Sequence, residues 1–274
     1  MLSKISGIIK IYKKNNLINI FFLILKRINL IKYSSLLEKT KHETNKKIII
    51  TSNSTIINGA YKDTIYYQKP HFNDSGNKLL GLYEEQVQKK IIELKKKFNL
   101  SFLINFGSGD GYHFLGLIKN NFFKKGLAYE VNDKERKNLE KNIKLNNIEN
   151  KTQIYNFANF NYLKENKNKI RLKDILFLVD IEGDEFKLFS HKNLKYFKKS
   201  VLIIENHDFF IDNKSLVKQF FKLLKNNFKV EMLENSARKP FFIDKFKELN
   251  DDERWLMVSE GRKCQQDWII CTPK

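Results

Sequence analysis

Between residues 102 and 205 the chain repeats one theme, a short apolar run followed by a stretch long enough for a helix. The runs are Phe102–Phe106, Gly126–Glu130, Thr152–Phe157, Ile175–Asp180 and Val201–Glu205. The stretches that follow them are 113–121, 133–146, 183–198 and 213–227. Ahead of the first run, residues 84–98 set Val87, Ile91, Ile92 and Leu94 among Glu, Gln and Lys, the spacing of an amphipathic helix. Apolar runs this short, alternating with helices, predict βαβ units and a mainly parallel sheet with helices on both faces. The tail breaks the rhythm. Phe228–Leu233 and Trp268–Cys271 look like strands, separated by a loop that holds Pro240 and the exposed-looking 244–254. They predict an antiparallel C-terminal hairpin that closes a seven-stranded α/β sheet at its edge.

The first run ends in Asn105-Phe106-Gly107-Ser108-Gly109-Asp110-Gly111-Tyr112. Glycines at a strand-to-helix turn let the backbone bend tightly and approach a ligand, and the helix that follows points its N-terminus at that ligand. The dinucleotide fingerprint needs a third glycine where Tyr112 stands, so this is a poor NAD loop. The Gly-Lys-Ser/Thr ending of a P-loop is missing as well. The second run ends in Glu130, about 20 residues on, where an acid can hydrogen-bond the two hydroxyls of a ribose. Loop and acid together point to a ligand that contains a nucleoside.

The fourth run leads into Asp180-Ile181-Glu182-Gly183-Asp184-Glu185, four acids in six residues of a very basic chain. They fall at the carboxyl end of a central strand, where open α/β sheets bind ligands. Glu182 and Glu185 could equally be helix N-terminal acids favoured by the dipole. The fifth run ends in Glu205-Asn206-His207. His207 suits a base or an orienting group, since histidine titrates near neutrality. Asp180 and Glu182 could hold acceptor hydroxyls or orient that histidine, and close carboxylates can also bind a divalent cation.

The strand, the Gly-x-Gly-x-Gly loop and the strand-end acid resemble a class I S-adenosylmethionine-dependent methyltransferase. The run Asp180-x-Glu182-Gly183-x-Glu185, joined by Glu205-Asn206-His207 and by Gly81-Leu82-Tyr83-Glu84, is similar to the signature of the FkbM-type members. The resemblance covers residues 81–274 and implies a Rossmann-like methyltransferase fold. It implies that Gly107, Ser108, Gly109 and Gly111 meet the methionine part of S-adenosylmethionine and that Glu130 holds its ribose. Ala158 and Asn159 would lie at the adenine, and Asp180 would face both cofactor and acceptor. Asp180, Glu182 and His207 are the catalytic candidates. The implied reaction is O-methylation of a sugar, glycan or related hydroxyl-bearing small molecule. Asn105 departs from the acid often found at that strand end, which removes a charge for the cofactor's ammonium.

The net charge of +20 suggests a polyanionic partner. However, Lys, Ile, Asn and Phe are all heavily used, and all have A/T-rich codons, so base composition alone gives a lysine-rich surface. The charge is uneven: residues 1–50 hold eleven Lys or Arg against Glu38 and Glu43. They also hold the apolar run Leu17–Leu25, followed by Lys26-Arg27. That run is too short to cross a bilayer and has no small-residue cleavage site after it. It fits peripheral contact of residues 1–33 with an anionic membrane, or a helix packed on the domain or a partner. Residues 1–80 thus read as a basic, partly amphipathic extension, with 34–80 a linker or edge hairpin. His113 caps or packs its helix, and His191 looks exposed. Cys264 and Cys271 read as free thiols of a reducing cytoplasm, since two cysteines make neither a disulfide scaffold nor a zinc spacing with the histidines. Phe241, Phe242 and Trp268 suit core or edge positions. Two rival readings stay open. One is an RNA methyltransferase, against which no aromatic-and-basic RNA-binding module is seen. The other is a non-catalytic, membrane-associated protein that keeps the fold.

Overall fold

The computed structural model describes residues 17–28, 30, 31, 33, 35–67, 75–166, 168–234, 238–240, 243–262, 264 and 266–274. Residues 1–16, with Lys10, Lys13 and Lys14, lie outside them, as do His71, Phe241 and Phe242. The strands are β1 (Phe102–Phe106), β2 (Lys125–Tyr129), β3 (Thr152–Tyr155), β4 (Ile175–Val179), β5 (Val201–Glu205), β6 (Phe228–Leu233) and β7 (Trp268–Pro273). They form one seven-stranded sheet in the order β3-β2-β1-β4-β5-β7-β6. The pairs from β3 to β5 are parallel. Strand β7 inserts between β5 and β6 and runs antiparallel to both. This is the mainly parallel sheet with a C-terminal antiparallel hairpin that the spacing predicts, in the Rossmann-like arrangement that the resemblance implies.

The order reverses between β1 and β4, which opens a crevice at the carboxyl ends of these strands. Period-two alternation gives the sheet two buried faces. Leu103, Ala128, Leu176 and Ile203 point into one core, and Ile104, Leu127, Phe177 and Leu202 into the other. Helices α4 (Glu85–Lys97), α5 (Tyr112–Lys119) and α6 (Asp133–Leu145) cover the first face. Helices α7 (Asn161–Glu165), α8 (Glu185–Leu188) and α9 (Lys214–Asn227) cover the second.

The N-terminal segment divides in two. Helix α1 (Leu17–Arg27) keeps Ile18, Phe21 and Ile24 more than half exposed. Among the described residues no helix is long and apolar enough to cross a membrane. From residue 36 on the chain is different. Where a linker or edge hairpin is expected, it forms the 17-residue helix α2 (Leu36–Ser52) and the short α3 (Ser75–Leu79). The Ser35 hydroxyl caps α2 by accepting from the Glu38 N–H at 3.1 Å, and Asn53 ends it in a left-handed turn. Its apolar stripe is thin because it buries Thr44, Asn45 and Ser52 beside Ile48, so periodicity misses it. Ile48, Ile56, Tyr61, Tyr66, Leu79 and Leu80 lie in the same core as β1 and β4. Tyr61 sits on Gly116 of α5, where a Cβ would lie 2.2 Å from the ring.

Two other expectations change. The single helix over 183–198 is only α8 and a later 3₁₀ turn, Leu194–Tyr196. The loop 244–254 turns inward, burying Ile243, Phe246 and Leu249, and leads into α10 (Asp251–Val258) through an Asn250–Glu253 capping box.

Candidate functional site

The glycine loop begins with a stitch across the crest of the sheet. Gly107 N–H donates to Tyr129 O and Asp180 N–H to Phe106 O, both at 2.9 Å. Gly107 has φ +76°, and a Cβ there would lie 1.5 Å from the Asp180 carbonyl oxygen. Glycine is needed at this position so that the end of β4 can pass. Gly111 has φ +97° and opens α5, and a Cβ there would strike Leu139 at 2.5 Å. Gly109 differs, because a Cβ there would meet nothing within 4 Å. It is the loop glycine with open space before it.

Glu130 is tied to this loop. One carboxylate oxygen accepts from Gly109 N–H and the other from Asn132 N–H, each at 2.7 Å. Two backbone bonds fix the carboxylate and leave it lone pairs for a ligand. It lines a cleft of about 620 Å³ whose walls include Val131, Phe157, Ala158, Ile181 and Leu188. A second, more polar cavity of about 100 Å³ is lined by Lys78, Tyr83, Glu84, Asn105, Asp110 and His113, among others. Gly107 and Asp180 line both cavities, so the two adjoin at these residues.

Of the cofactor candidates, Gly107, Ser108, Gly109, Glu130, Ala158 and Asp180 line one cavity or both. Gly111 acts behind them as the helix start. Asn159 turns away. Its amide donates to Phe157 O and accepts from Asn161 N–H, both at 2.9 Å, closing the turn into α7. Asn105 donates to Leu178 O at 3.3 Å, which ties β1 to β4 from within.

The acidic run after β4 is folded by two consecutive left-handed residues, Glu182 at φ +54° and Gly183 at φ +101°. A glutamate in this region is uncommon, and the conformation holds its side chain at the mouth, 76% exposed. Glu185 is buried instead. It accepts from Gly183 N–H at 3.0 Å and reaches Nδ1 of His207 at 2.9 Å. His207 is fully buried. Its Nε2 lies 3.3 Å from Glu205 and 3.7 Å from both Asp180 and Glu182. The structure therefore brings the three catalytic candidates together, with Glu185 and Glu205 between and behind them.

Burial works against a charged imidazole, but the Glu185 and Glu205 carboxylates overrule it and push His207 up to about 10. Burial alone would raise Glu205, yet His207, Asp180 and Arg262 bring it down to about 2. Asp180 is raised well above the usual carboxylate range by burial and by Glu205 beside it. This pocket calls for positive charge at its centre.

A network of long-range pairs backs the site. Arg262 donates to Glu205 at 2.5 Å and to Glu260 at 2.6 Å, and it also pairs with Glu84. Glu84, at φ +48°, meets His113 Nε2 at 2.5 Å, and His113 Nδ1 meets the Tyr61 hydroxyl at 2.9 Å. Lys78 stands 4.8 Å from the Tyr83 ring centre and 3.8 Å from the Asp110 carboxylate. Sequence reading misses Lys78, Glu84, Asp110 and Arg262 as site residues. Only the Gly-Leu-Tyr-Glu run and the acids around His207 gave a sign of them. Trp268 is buried in the wall of the small cavity; elsewhere, His191 and Cys264 are exposed, and burial pushes the Cys271 thiol up.

No family model and no curated protein matches the chain. Among solved structures it is similar to an O-methyltransferase from Bacillus cereus in complex with SAH. The identity is 13% and the TM-score 0.47, over 93% of this chain and 97% of that one. It is similar to the O-methyltransferase TomG from Streptomyces achromogenes, involved in tomaymycin synthesis and solved with SAM. Here the identity is 9% and the TM-score 0.48, over 85% and 98% of the two chains. An uncharacterised protein from Listeria monocytogenes gives 12% identity and TM-score 0.42, over 68% of this chain and 66% of that one.

Proposed function

We propose that this chain is an S-adenosylmethionine-dependent methyltransferase acting on a hydroxyl oxygen of a sugar or related small acceptor. The observation that carries the reading is the two-part site. A large, partly apolar cleft with a fixed carboxylate adjoins a small polar cavity that holds both a lysine and acids. A nucleoside fits the first and an amino acid the second, and S-adenosylmethionine is one joined to the other. In this reading Glu130 accepts from the ribose hydroxyls, and Phe157 and Ala158 flank the adenine. Gly109 lets the ligand cross the loop. Lys78 faces the carboxylate of the amino-acid part, while Glu84 or Asp110 faces its ammonium.

When bound, the cofactor supplies an electrophilic methyl group. The chain's task is then largely to hold an acceptor hydroxyl in line, which by itself can supply much of the acceleration. Glu182 at the mouth is suited to take the hydroxyl proton, and Asp180 to orient the acceptor. His207 is buried behind them and acts as a positioning residue for these carboxylates. The O-methyl choice and the sugar-like acceptor rest on the resemblance of the acidic motif alone.

Calorimetric titration of the full chain with S-adenosylmethionine and S-adenosylhomocysteine, with NAD and ATP alongside, tests the cofactor. Binding of the first pair only is expected. Glu130→Ala should weaken it by about 10- to 150-fold, the worth of hydrogen bonds to a charged group. Equal binding of NAD or ATP, or an affinity indifferent to Glu130, would sink the assignment.

A further inference from the structure

The geometry points to a divalent transition-metal site formed by Asp180, Glu205 and His207. Two polar atoms here are out of solvent and without a hydrogen-bond partner, His207 Nε2 and Asp180 Oδ1. Unsatisfied buried groups are rare in native folds and call for a cause. Each of the three residues offers one ligand atom, and these atoms lie within 4.8 Å of one another.

A proton on Nε2 answers the charge but not the geometry. Glu205 lies 3.3 Å from Nε2, yet not in hydrogen-bonding alignment. One ion between them satisfies both atoms. An ion about 2.1 Å from each ligand keeps neighbouring ligand atoms about 3.0–3.4 Å apart. The observed 3.3 Å from Nε2 to Glu205 and 3.7 Å to Asp180 are near that spacing, and all three ligand atoms lie close enough to draw in around one ion.

The surroundings are those of a supported ligand set. A metal-bound histidine usually gives its other ring nitrogen to a carboxylate, which fixes its tautomer and aim. Glu185 does this at Nδ1, fully buried and itself held by Gly183 N–H. Arg262 occupies one oxygen of Glu205 and leaves the other turned to His207. The donor set also selects the ion. An imidazole nitrogen among carboxylates suits Mn²⁺, Fe²⁺ or Zn²⁺ better than Mg²⁺ or Ca²⁺, which prefer oxygen alone. Three protein ligands leave positions open, and Asp180 also lines the large cleft. On the methyltransferase reading, an acceptor hydroxyl would take such a position and lose its proton more readily. The site itself does not depend on that reading.

The test uses the full chain, stripped with chelator and titrated without any nucleoside ligand, so its failure is separate from failure of the cofactor assignment. Zn²⁺ is followed by calorimetry and Mn²⁺ by electron paramagnetic resonance, with Mg²⁺ alongside. One saturable equivalent of Mn²⁺ or Zn²⁺ is expected, tighter than Mg²⁺. Spin-echo modulation from a directly bound nitrogen should appear with Mn²⁺ and vanish in His207→Ala. Glu185→Gln should weaken binding by about 10- to 100-fold, as loss of a partner behind the ligand does. His207→Ala empties a buried position at a cost to folding, so Asp180→Asn, at a partly exposed residue, is read as well. No saturable binding by the wild type, or binding unchanged in Asp180→Asn, overturns the proposal.

Discussion

On the glycine-loop side of the cleft, the groups that face the cavity are set by backbone. Gly107 is stitched to Tyr129, and Glu130 is held by the N–H groups of Gly109 and Asn132. On the β4–β5 side they are set by side chains that pair with one another. Glu185 holds His207 across 22 residues, and Arg262 joins Glu205 to Glu84 across 57 and 178. The first rim is a backbone device, complete once β1, β2 and the turns that follow them are in place. The second is a buried charge assembly in which each member neutralises another. Each rim is therefore vulnerable in its own way: one to added bulk, the other to removal of a charge.

The largest effect should come from bulk. Gly107→Ala puts a Cβ 1.5 Å from the Asp180 carbonyl oxygen at a φ that disfavours it, so β1 and β4 cannot both keep their ends. A loss beyond about 4 kcal/mol is expected, the range reserved for such defects. For a domain of this size that lowers the melting temperature by more than about 8 °C. Calorimetric melting measures it, and a change within about 2 °C would show that the rim is not built by close backbone passage.

These two constructions also explain what was legible. The strand ends, the glycine loop, Glu130 and the acidic run stand in contiguous sequence, so period and spacing reveal them. The parallel pairing follows, since β1 to β5 obey the βαβ rule. Helix α2 was hidden because it buries Thr44, Asn45 and Ser52 where an apolar stripe would be expected. Helix α10 was hidden behind charges, its first turn being Asp251-Asp252-Glu253. Lys78 and Arg262 were illegible for another reason. Nothing local marks one lysine or arginine among 51, and only the folded chain brings them to Asp110 and Glu205.

A charge removed from the other rim should cost somewhat less. Arg262→Met leaves Glu84, Glu205 and Glu260 facing one another without their shared cation. Breaking a buried pair from one side costs about 3–5 kcal/mol, mostly the penalty of the stranded charge. Glu84→Gln in the same chain should therefore give part of it back. Urea unfolding of the single and double variants separates the cases. If the double variant is no more stable than Arg262→Met alone, the network is not held by mutual neutralisation.

The smallest effect is the most selective, because Lys78 belongs to the segment read from sequence as lying outside the domain, yet it lines the small cavity. Its ammonium already has Asp110 at 3.8 Å and the Tyr83 ring at 4.8 Å, so part of its charge is spent before any ligand arrives. Its contribution to binding a carboxylate should fall at the low end for charged hydrogen bonds, about 1.5 kcal/mol or tenfold. Lys78→Met should thus weaken S-adenosylhomocysteine about tenfold. It should leave 5′-methylthioadenosine, which has the nucleoside but no amino acid, unchanged. Parallel calorimetry on the two ligands reads the split. Equal loss for both would mean that Lys78 supports the loop as a whole. No loss for either would hand the carboxylate to the backbone of the glycine loop, making even the polar cavity a backbone device.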